Sequence, residues 1–423
     1  MINIADLELS QKSEPMNHVH SLMFEREAGT EGENKSINYL QKVLTQENIE
    51  NEIETFKWSK TITILVKVIS IFLISSSVLF EALVFLNLNW LMILIDLILI
   101  VTVIIVLRDL FDVTSGLLIG RRKKSKNLIA KIPAKKKTPK RPLIIFSAHY
   151  DSKSENYSYN LKKYFFLIEG TLIFPFISST LILSVWDVLI NFSVLNGNAF
   201  YYTLFDKITD FSYVSFGFLT ISIFILVLNG DPSKSLGSID NASGVSILIE
   251  LAILLNKNPL EQIDILFLWC GAEEWGLWGS RKFCVKHFND LNQEYNLDES
   301  YNINIDMVGT DIGLIDKTGI VKKNNYNKNI VNVLEATANN LKIPLRKFDA
   351  TIEPRSDHTS FRSFVKKTQK TMEVCCLLSN KDTPFIHTSR DTPNKCIPKN
   401  LKGCVDICYN AIKSIDLSIE SIK

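Results

Sequence analysis

The chain has 423 residues, with 47 Lys and Arg against 45 Asp and Glu and a formal net charge of +2. So even a balance excludes nucleic-acid binding through bulk charge. The 7 cysteines, with no Cys-x-x-Cys pair, exclude a disulfide framework and a Cys-rich zinc site, and they suit a reducing compartment.

Residues 1–60 are polar with mixed charge and carry no recognisable signal peptide, so they read as the first part of a folded domain. Two long apolar runs follow, Ile62 to Leu86 and Leu88 to Leu107, each able to cross a bilayer, which takes about 20 helical residues. The basic cluster Arg121-Arg122-Lys123-Lys124 with Lys126 comes next, then a strand over Asn127 to Pro133, a turn over Ala134 to Pro142, and a second strand within Arg141 to Ser147. That turn suggests two antiparallel strands, with the start of the first and the end of the second at one sheet edge. His149 and Asp151 follow directly. A second apolar pair occupies Tyr164 to Val185 and Phe211 to Leu228, separated by an aromatic-rich mixed segment, Trp186 to Asp210, that suits an interface.

Beyond it, Asp240 opens a helix whose Val245, Leu248, Leu251, Leu254 and Leu255 recur at helical spacing, stopped by Asn256 to Pro259. Ile263 to Trp269 reads as a buried strand leading to Glu273 and Glu274. Ile303 to Ile305 leads into Asp306, and Glu373 to Leu378 precedes the loop carrying His387. Ligand sites in α/β sheets collect at the carboxyl ends of strands, so one edge is expected to gather His149, Asp240, Glu274, Asp306 and His387. Imidazoles and carboxylates suit Zn²⁺. Two ions that share one carboxylate, each with about three protein ligands and an open position, need these five residues.

The expected organisation is an α/β catalytic domain in three parts, 1–60, 108–160 and 231–423, interrupted by transmembrane hairpins at 61–107 and 161–230. The alternative is that the apolar runs are core helices; four of them in two pairs exceed what a soluble domain of this size needs. Asp96, within a run, is costly in lipid and is expected to face another helix. Basic residues at Lys60, Arg108, Arg121 to Lys126 and Lys162-Lys163 flank the spans on the catalytic side, which places that domain in the cytoplasm. Both hairpins are expected to leave from the edge bearing the ligands, which would set the site toward the membrane surface. Of the other histidines, His18 and His20 read as part of a solvated helix, His287 as incidental, and His358 as either pocket lining or packing. Thr310 to Asn325, with Gly309, Gly313 and Gly319, reads as mobile.

The ligand segments, together with Arg26 to Glu33 and the helix after it to Leu44, and with Ser356-Asp357-His358-Thr359-Ser360-Phe361, resemble the aminopeptidase Y and glutamate carboxypeptidase family of co-catalytic zinc peptidases, metallopeptidase family 28. The resemblance implies a three-layer α/β exopeptidase fold with a mixed sheet, two Zn²⁺ ions and a peptide substrate. His149 and Asp306 would hold one ion, Glu274 and His387 the other, and Asp240 would bridge them. Glu273 would be the general base, Asp151 would orient His149, and the Asp240-Asn241 peptide would be cis. Cobalt or manganese could take the same ligands. One departure stands out: about 90 residues separate His149 from Asp240, too many for an ordinary loop, and an inserted hairpin accounts for them. An aminopeptidase is expected first. A carboxypeptidase or dipeptidase would differ only in pocket groups, Asp357 being a candidate partner for an amine and Arg355, Arg362 or Arg390 for a carboxylate. A non-catalytic membrane assembly or chaperone role is the reading from another class, disfavoured because all six positions are intact. The branch that cyclises N-terminal glutamine on one zinc gains nothing from these residues.

Overall fold

A computed structural model describes residues 14–61, 88–111, 118–157, 159–192, 199–227, 234–320, 322–325 and 327–422, with isolated positions between 63 and 86. The chain divides into two compact units, one of Met1–Ser59, Val113–Glu155 and Pro232–Lys423, the other of Lys60–Asp112 and Asn156–Asp231.

The first unit is built on eight strands: β1 (Asn51–Trp58), β2 (Lys123–Ile132), β3 (Leu143–His149), β4 (Asp264–Cys270), β5 (Tyr301–Ile305), β6 (Gly313–Thr318), β7 (Arg346–Ala350) and β8 (Glu373–Leu377). They form one mixed sheet in the order β1-β2-β4-β3-β5-β8-β6-β7. At its centre β4, β3, β5 and β8 run parallel, while β2 and β6 pair antiparallel with β4 and β8. Every residue of β3 and β4 is buried, as continuous apolar runs covered on both faces require.

Strand alternation sorts the two faces. Leu143, Ile145, Leu266 and Leu268 join Phe283, Phe288 and Leu291 of the helix Trp278–Glu294 and Phe361 and Phe364 of the helix His358–Lys367 in one core cluster. On the other face Phe146 stacks on Phe267 at 5.5 Å, and the indole of Trp269 donates to Val245 O (3.5 Å) of the helix Ser243–Lys257. Pro398–Ile422 packs outside that helix. This is the three-layer mixed α/β fold that the resemblance implies.

The connection over Ala134 to Pro142 does not join sheet neighbours. β4 lies between β2 and β3, and the connection runs beside the chain entering β4, with Lys135 and Lys136 N–H donating to Leu260 O and Glu261 O. β4 is apolar on both faces and takes the interior place, whereas β2 carries Lys123, Lys124, Lys126 and Lys131 and lies near the rim. The antiparallel sense of β2 and β3 survives, so the start of β2 and the end of β3 share an edge. Thr310 to Asn325, expected to be mobile, contains β6.

Asp264 ties this region together. Its fully buried carboxylate accepts hydrogen bonds from Arg141 Nε (2.6 Å) and Nη2 (2.7 Å), Ala134 N (2.8 Å) and Tyr295 Oη (2.9 Å). Burial opposes its ionisation, but these donors prevail and hold the carboxyl below its ordinary range. Asp264→Ala would leave the partly buried Arg141 guanidinium and the Ala134 N–H without their acceptor, and it is expected to destabilise the protein by about 2–4 kcal/mol in denaturant unfolding. A carboxyl whose folded pKa is depressed stabilises above its unfolded pKa. That contribution is therefore full above about pH 5 and is lost as the pH falls through the lowered value.

In the second unit the helix Asn89–Phe111 packs on Tyr159–Asn191, which packs on Ala199–Val227. Leu161–Ile190 and Tyr202–Ile225 are long and apolar enough to cross a membrane, and Trp90–Ile105 is a shorter apolar stretch. Large apolar side chains such as Val101, Ile104, Phe174, Phe218 and Phe224 point outward. Most of the expected span Ile62 to Leu86 lies outside the described residues. Within the expected interfacial segment Trp186 to Asp210 the described residues are mostly helix, continuing one element to Asn191 and opening the next at Ala199. Asp96 is buried and accepts a hydrogen bond from Thr180 Oγ1 (3.1 Å) on the neighbouring helix. A third apolar helical stretch, Ser238–Lys257, is 94% buried within the α/β unit and belongs to its core.

Candidate metal centre

The carboxyl ends of β3, β4, β5 and β8 bring the five expected ligands together. His149 is the last residue of β3, Glu273 and Glu274 sit in the turn after β4, Asp306 follows β5, and His387 lies in the loop after β8. Asp240 enters from the turn before the helix Ser243–Lys257, and its peptide bond to Asn241 is cis. Asn241 staples this turn to its neighbours: its amide donates to Ile305 O (2.9 Å), and its oxygen accepts Gly244 N (2.9 Å) and Met307 N (3.1 Å). A Cβ on Gly244 would lie 2.3 Å from Ile305 O, so only glycine lets the helix start so close to β5. Three non-glycine residues here, Ala272, Met307 and His387, adopt left-handed φ of 53°, 74° and 59°. Such backbone clusters at sites that the surrounding structure holds in place.

His149 Nε2 lies 3.0 Å from Asp240 Oδ1 and 3.3 Å from Asp306 Oδ1. His387 Nε2 lies 3.2 Å from Asp240 Oδ2 and 3.0 Å from Glu274 Oε1. Two donor sets result, His149/Asp240/Asp306 and Asp240/Glu274/His387, each with its ligand atoms within 4.8 Å of one another. Glu273 stands back, with Oε2 4.0 Å from His149 Nε2.

The far nitrogen of each imidazole is fixed. His149 Nδ1 lies 3.1 Å from the main-chain oxygen of Asp151 and 3.6 Å from its carboxylate. That carboxylate accepts the main-chain N–H groups of Glu273 (3.0 Å) and Glu274 (3.2 Å), so Asp151 ties the histidine strand to the two glutamates. His387 Nδ1 lies 3.2 Å from Glu155 Oε2, and Lys153 Nζ lies 3.0 Å from Glu155 Oε1.

Two further supports are not among the expected site residues. Asp391 accepts the N–H groups of Ile239 (2.6 Å) and Asp240 (3.2 Å). Arg26, with no exposed surface, donates to the carbonyls of Tyr150 (2.8 Å), Leu236 (2.7 Å) and Gly237 (2.7 Å), pinning the segments that carry His149 and Asp240. Burial lowers its guanidinium to about 10, against the pull of Asp391, Asp151 and Asp240.

The electrostatics favour a cation. Burial disfavours charged imidazole, yet Glu273 and Asp306 around His149, and Glu274 and Asp240 around His387, push both rings well above their ordinary value. Burial, reinforced by Glu274 and Asp306, pushes Glu273 well up as well. Four carboxyl groups thus crowd two imidazoles, and the cations nearest them, Lys153 and Arg26, make their own bonds to Glu155 and to main-chain carbonyls. Nitrogen and oxygen donors in two sets sharing one carboxylate fit a pair of zinc ions.

The other candidates differ in burial and partners. Asp357 is fully buried against Ser280 and Cys270 and is closed to a substrate amine. Arg362 is buried, bonded to Glu353 and Val374 O, while Arg355 and Arg390 are exposed and Arg390 caps Pro384 O. His358 packs, with Nε2 3.0 Å from Glu353. His20 is exposed as expected, but His18 is held by Tyr39 Oη (2.7 Å) and Glu250 (3.3 Å), and His287 by Glu54 (2.7 Å).

Residues 221–412 match the family model described as Peptidase family M28. That stretch, which holds all the expected ligands but His149, is similar to the M28 peptidase domain. Aminopeptidase YwaD of Bacillus subtilis (strain 168) is 30% identical over 190 residues, which are 42% of this chain and 38% of that protein. The match therefore spans well under half of that relative's length. Among solved structures, an aminopeptidase from Aneurinibacillus sp. strain AM-1 superposes with a TM-score of 0.53 at 15% identity, covering 97% of this chain and 96% of that one. A glutaminyl cyclase from Fimbriiglobus ruber gives 0.53 at 13% identity over 95% and 94%. At such identities these likenesses speak for the fold alone.

Proposed function

We propose that this chain is a zinc-dependent exopeptidase of aminopeptidase type, anchored in a membrane by its apolar helices, with two zinc ions at the carboxyl edge of the sheet. The observation that carries the reading is Asp240, whose Oδ1 faces His149 Nε2 at 3.0 Å while Oδ2 faces His387 Nε2 at 3.2 Å. One carboxylate thereby serves two ligand sets. His149 and Asp306 would hold one ion, Glu274 and His387 the other, and Asp240 both. Bound there, the ions would polarise a scissile carbonyl and acidify a water molecule. Glu273, outside both sets, takes the water's proton and returns it to the leaving amine. Asp151 sets the backbone of Glu273 and Glu274, and Glu155 fixes the ring of His387, leaving Nε2 of each histidine turned inward.

The aminopeptidase assignment leans on the M28 match and on the printed name of the Bacillus relative. It is tested by incubating the zinc-loaded protein in lipid nanodiscs with a mixed peptide library and reading the products by mass spectrometry. Release of single N-terminal residues supports it. Trimming from the other end makes the protein a carboxypeptidase, dipeptide cleavage alone a dipeptidase, and no cleavage with two zincs bound supports the non-catalytic role.

Glu155→Gln is expected to weaken zinc binding at the His387 position by roughly 10–100-fold, as the loss of a carboxylate behind a ligating imidazole does. Zinc titration of the variant should then separate into one tight and one weak step, and a single unchanged step would count against that role.

The α/β unit is placed on the cytoplasmic side, because the basic residues flanking the apolar helices belong to it. Protease protection in inverted and right-side-out vesicles decides the orientation. Two of its chain exits also support a site near the membrane surface: Trp58 pairs with Lys123 at the start of β2, on the ligand-bearing edge, and Glu155 contacts His387. Lipid-reactive labels at Asn156 and Lys137 test this, and stronger labelling from Lys137, at the opposite edge, would overturn it.

A further inference from the structure

We infer that the groove at the start of β2 is a binding site for the phosphate headgroup of an anionic phospholipid. The inference rests on the membrane reading above but concerns a different surface from the metal centre. The groove encloses about 640 Å³, within the range of roughly 300–1,000 Å³ typical of small-ligand clefts. Its wall is the run Arg121 to Lys126, and its other side is formed by Gly29, Glu33, Asn34 and Thr55.

Five cations line it and one acid. The acid is turned away: Glu33 Oε2 accepts Gly29 N (2.6 Å), and Oε1 accepts the hydroxyls of Ser125 and Tyr150. Burial raises its pKa against the pull of those bonds. Lys126 is held by Asn34 Oδ1 (2.8 Å), and the Lys123 ammonium sits 5.4 Å over the Trp58 ring, so two of the cations are fixed. Arg121, Arg122 and Lys124 are exposed and have no carboxylate partner among the described residues. Paired arginines offer the planar donor forks that match phosphate oxygens, and a lysine adds a point charge.

The chain itself names the source of the phosphate. Arg121 follows Phe111, the end of an apolar helix, by only ten residues of sequence. Clusters of Lys and Arg next to a membrane helix in the chain attract anionic headgroups, and the groove turns that general attraction into a site. Its floor is also structural: Ser125, Lys126 and Tyr150 crowd Gly271, where a Cβ would lie 2.4 Å from Lys126 O, so the groove backs onto the turn that presents Glu273.

The test uses the full chain in detergent with an equimolar mixture of phosphatidylglycerol and phosphatidylcholine of matched acyl chains, with retained lipid read by native mass spectrometry. Wild type should retain phosphatidylglycerol selectively. Arg122→Gln with Lys124→Gln should lose roughly 25-fold of that preference, since each juxtamembrane cation contributes about fivefold. Should the double variant melt early, Lys124→Gln alone is expected to lose about fivefold. Equal retention of the two lipids by wild type, or an undiminished preference in a normally folded variant, would overturn the site. Displacement of phosphatidylglycerol by millimolar inorganic phosphate would reassign it to a soluble anion and overturn the lipid assignment. Carbonate extraction of native membranes separates this from the underlying reading: a chain released by carbonate fails as a membrane protein, whereas a resistant chain without lipid preference fails only here.

Discussion

Glu273→Gln is expected to lower kcat by roughly 10²–10⁴-fold while leaving two zinc ions per chain and nearly the same KM. The expectation follows from where Glu273 stands. His149 Nε2 is 3.0 Å from Asp240 and 3.3 Å from Asp306, but 4.0 Å from Glu273, and His387 is approached by Asp240 and Glu274. Glutamine keeps the size and the main-chain bond to Asp151, so the turn after β4 retains its shape and only the proton-accepting oxygen is lost. Glu274→Gln supplies the contrast, since it removes a proposed ligand and should lower zinc content together with activity. Metal analysis beside steady-state kinetics reads both. If Glu273→Gln lost metal as Glu274→Gln does, Glu273 would be a ligand and the base would have to be sought elsewhere.

The central strands and the ligands at their ends were legible for one physical reason. A parallel strand covered on both faces has to be apolar throughout, and such runs end abruptly where the chain reaches the polar edge. Leu143 to Phe146 and Ile265 to Trp269 announce themselves, and His149 and Glu273 follow. The rim strands were not legible. β1 mixes exposed and buried positions, and β6 begins at Gly313 in a glycine-rich stretch that reads as loop. The pairing of β2 with β4 was hidden too, because a short connection argues for neighbours and only the completed sheet shows that a later, more apolar strand takes the place between them.

The same limit separates the expected ligands from their supports. A ligand follows a strand at a readable spacing. Glu155, Asp391 and Arg26 reach the site from loops whose course depends on the tertiary fold, and nothing local distinguishes them from surface charge. Asp357 fails in the opposite direction: in a polar loop it reads as accessible, but the helix His358–Lys367 packs against β8 and closes it in with Ser280 and Cys270. Local polarity predicted exposure, and helix packing decided otherwise.

Asp240→Ala should have the largest effect on metal content, taking zinc from two per chain to near zero and peptidase activity to background. Each ligand set holds three protein groups, and Asp240 is the member they share. Its removal leaves His149 with Asp306 and His387 with Glu274, two ligands apiece where a catalytic zinc is ordinarily held by about three. The neighbouring substitutions fix the interpretation. Asp306→Ala strips one set only and should leave close to one zinc per chain. Asp391→Asn keeps every ligand but weakens the acceptor for the Ile239 and Asp240 amides, so it should retain both ions with affinity reduced by roughly 10–100-fold. Zinc stoichiometry by elemental analysis therefore grades the three variants as near zero, one and two. Two zincs retained in Asp240→Ala would mean that the carboxylate does not bridge, because no independent pair of sites could lose a shared ligand without loss of metal.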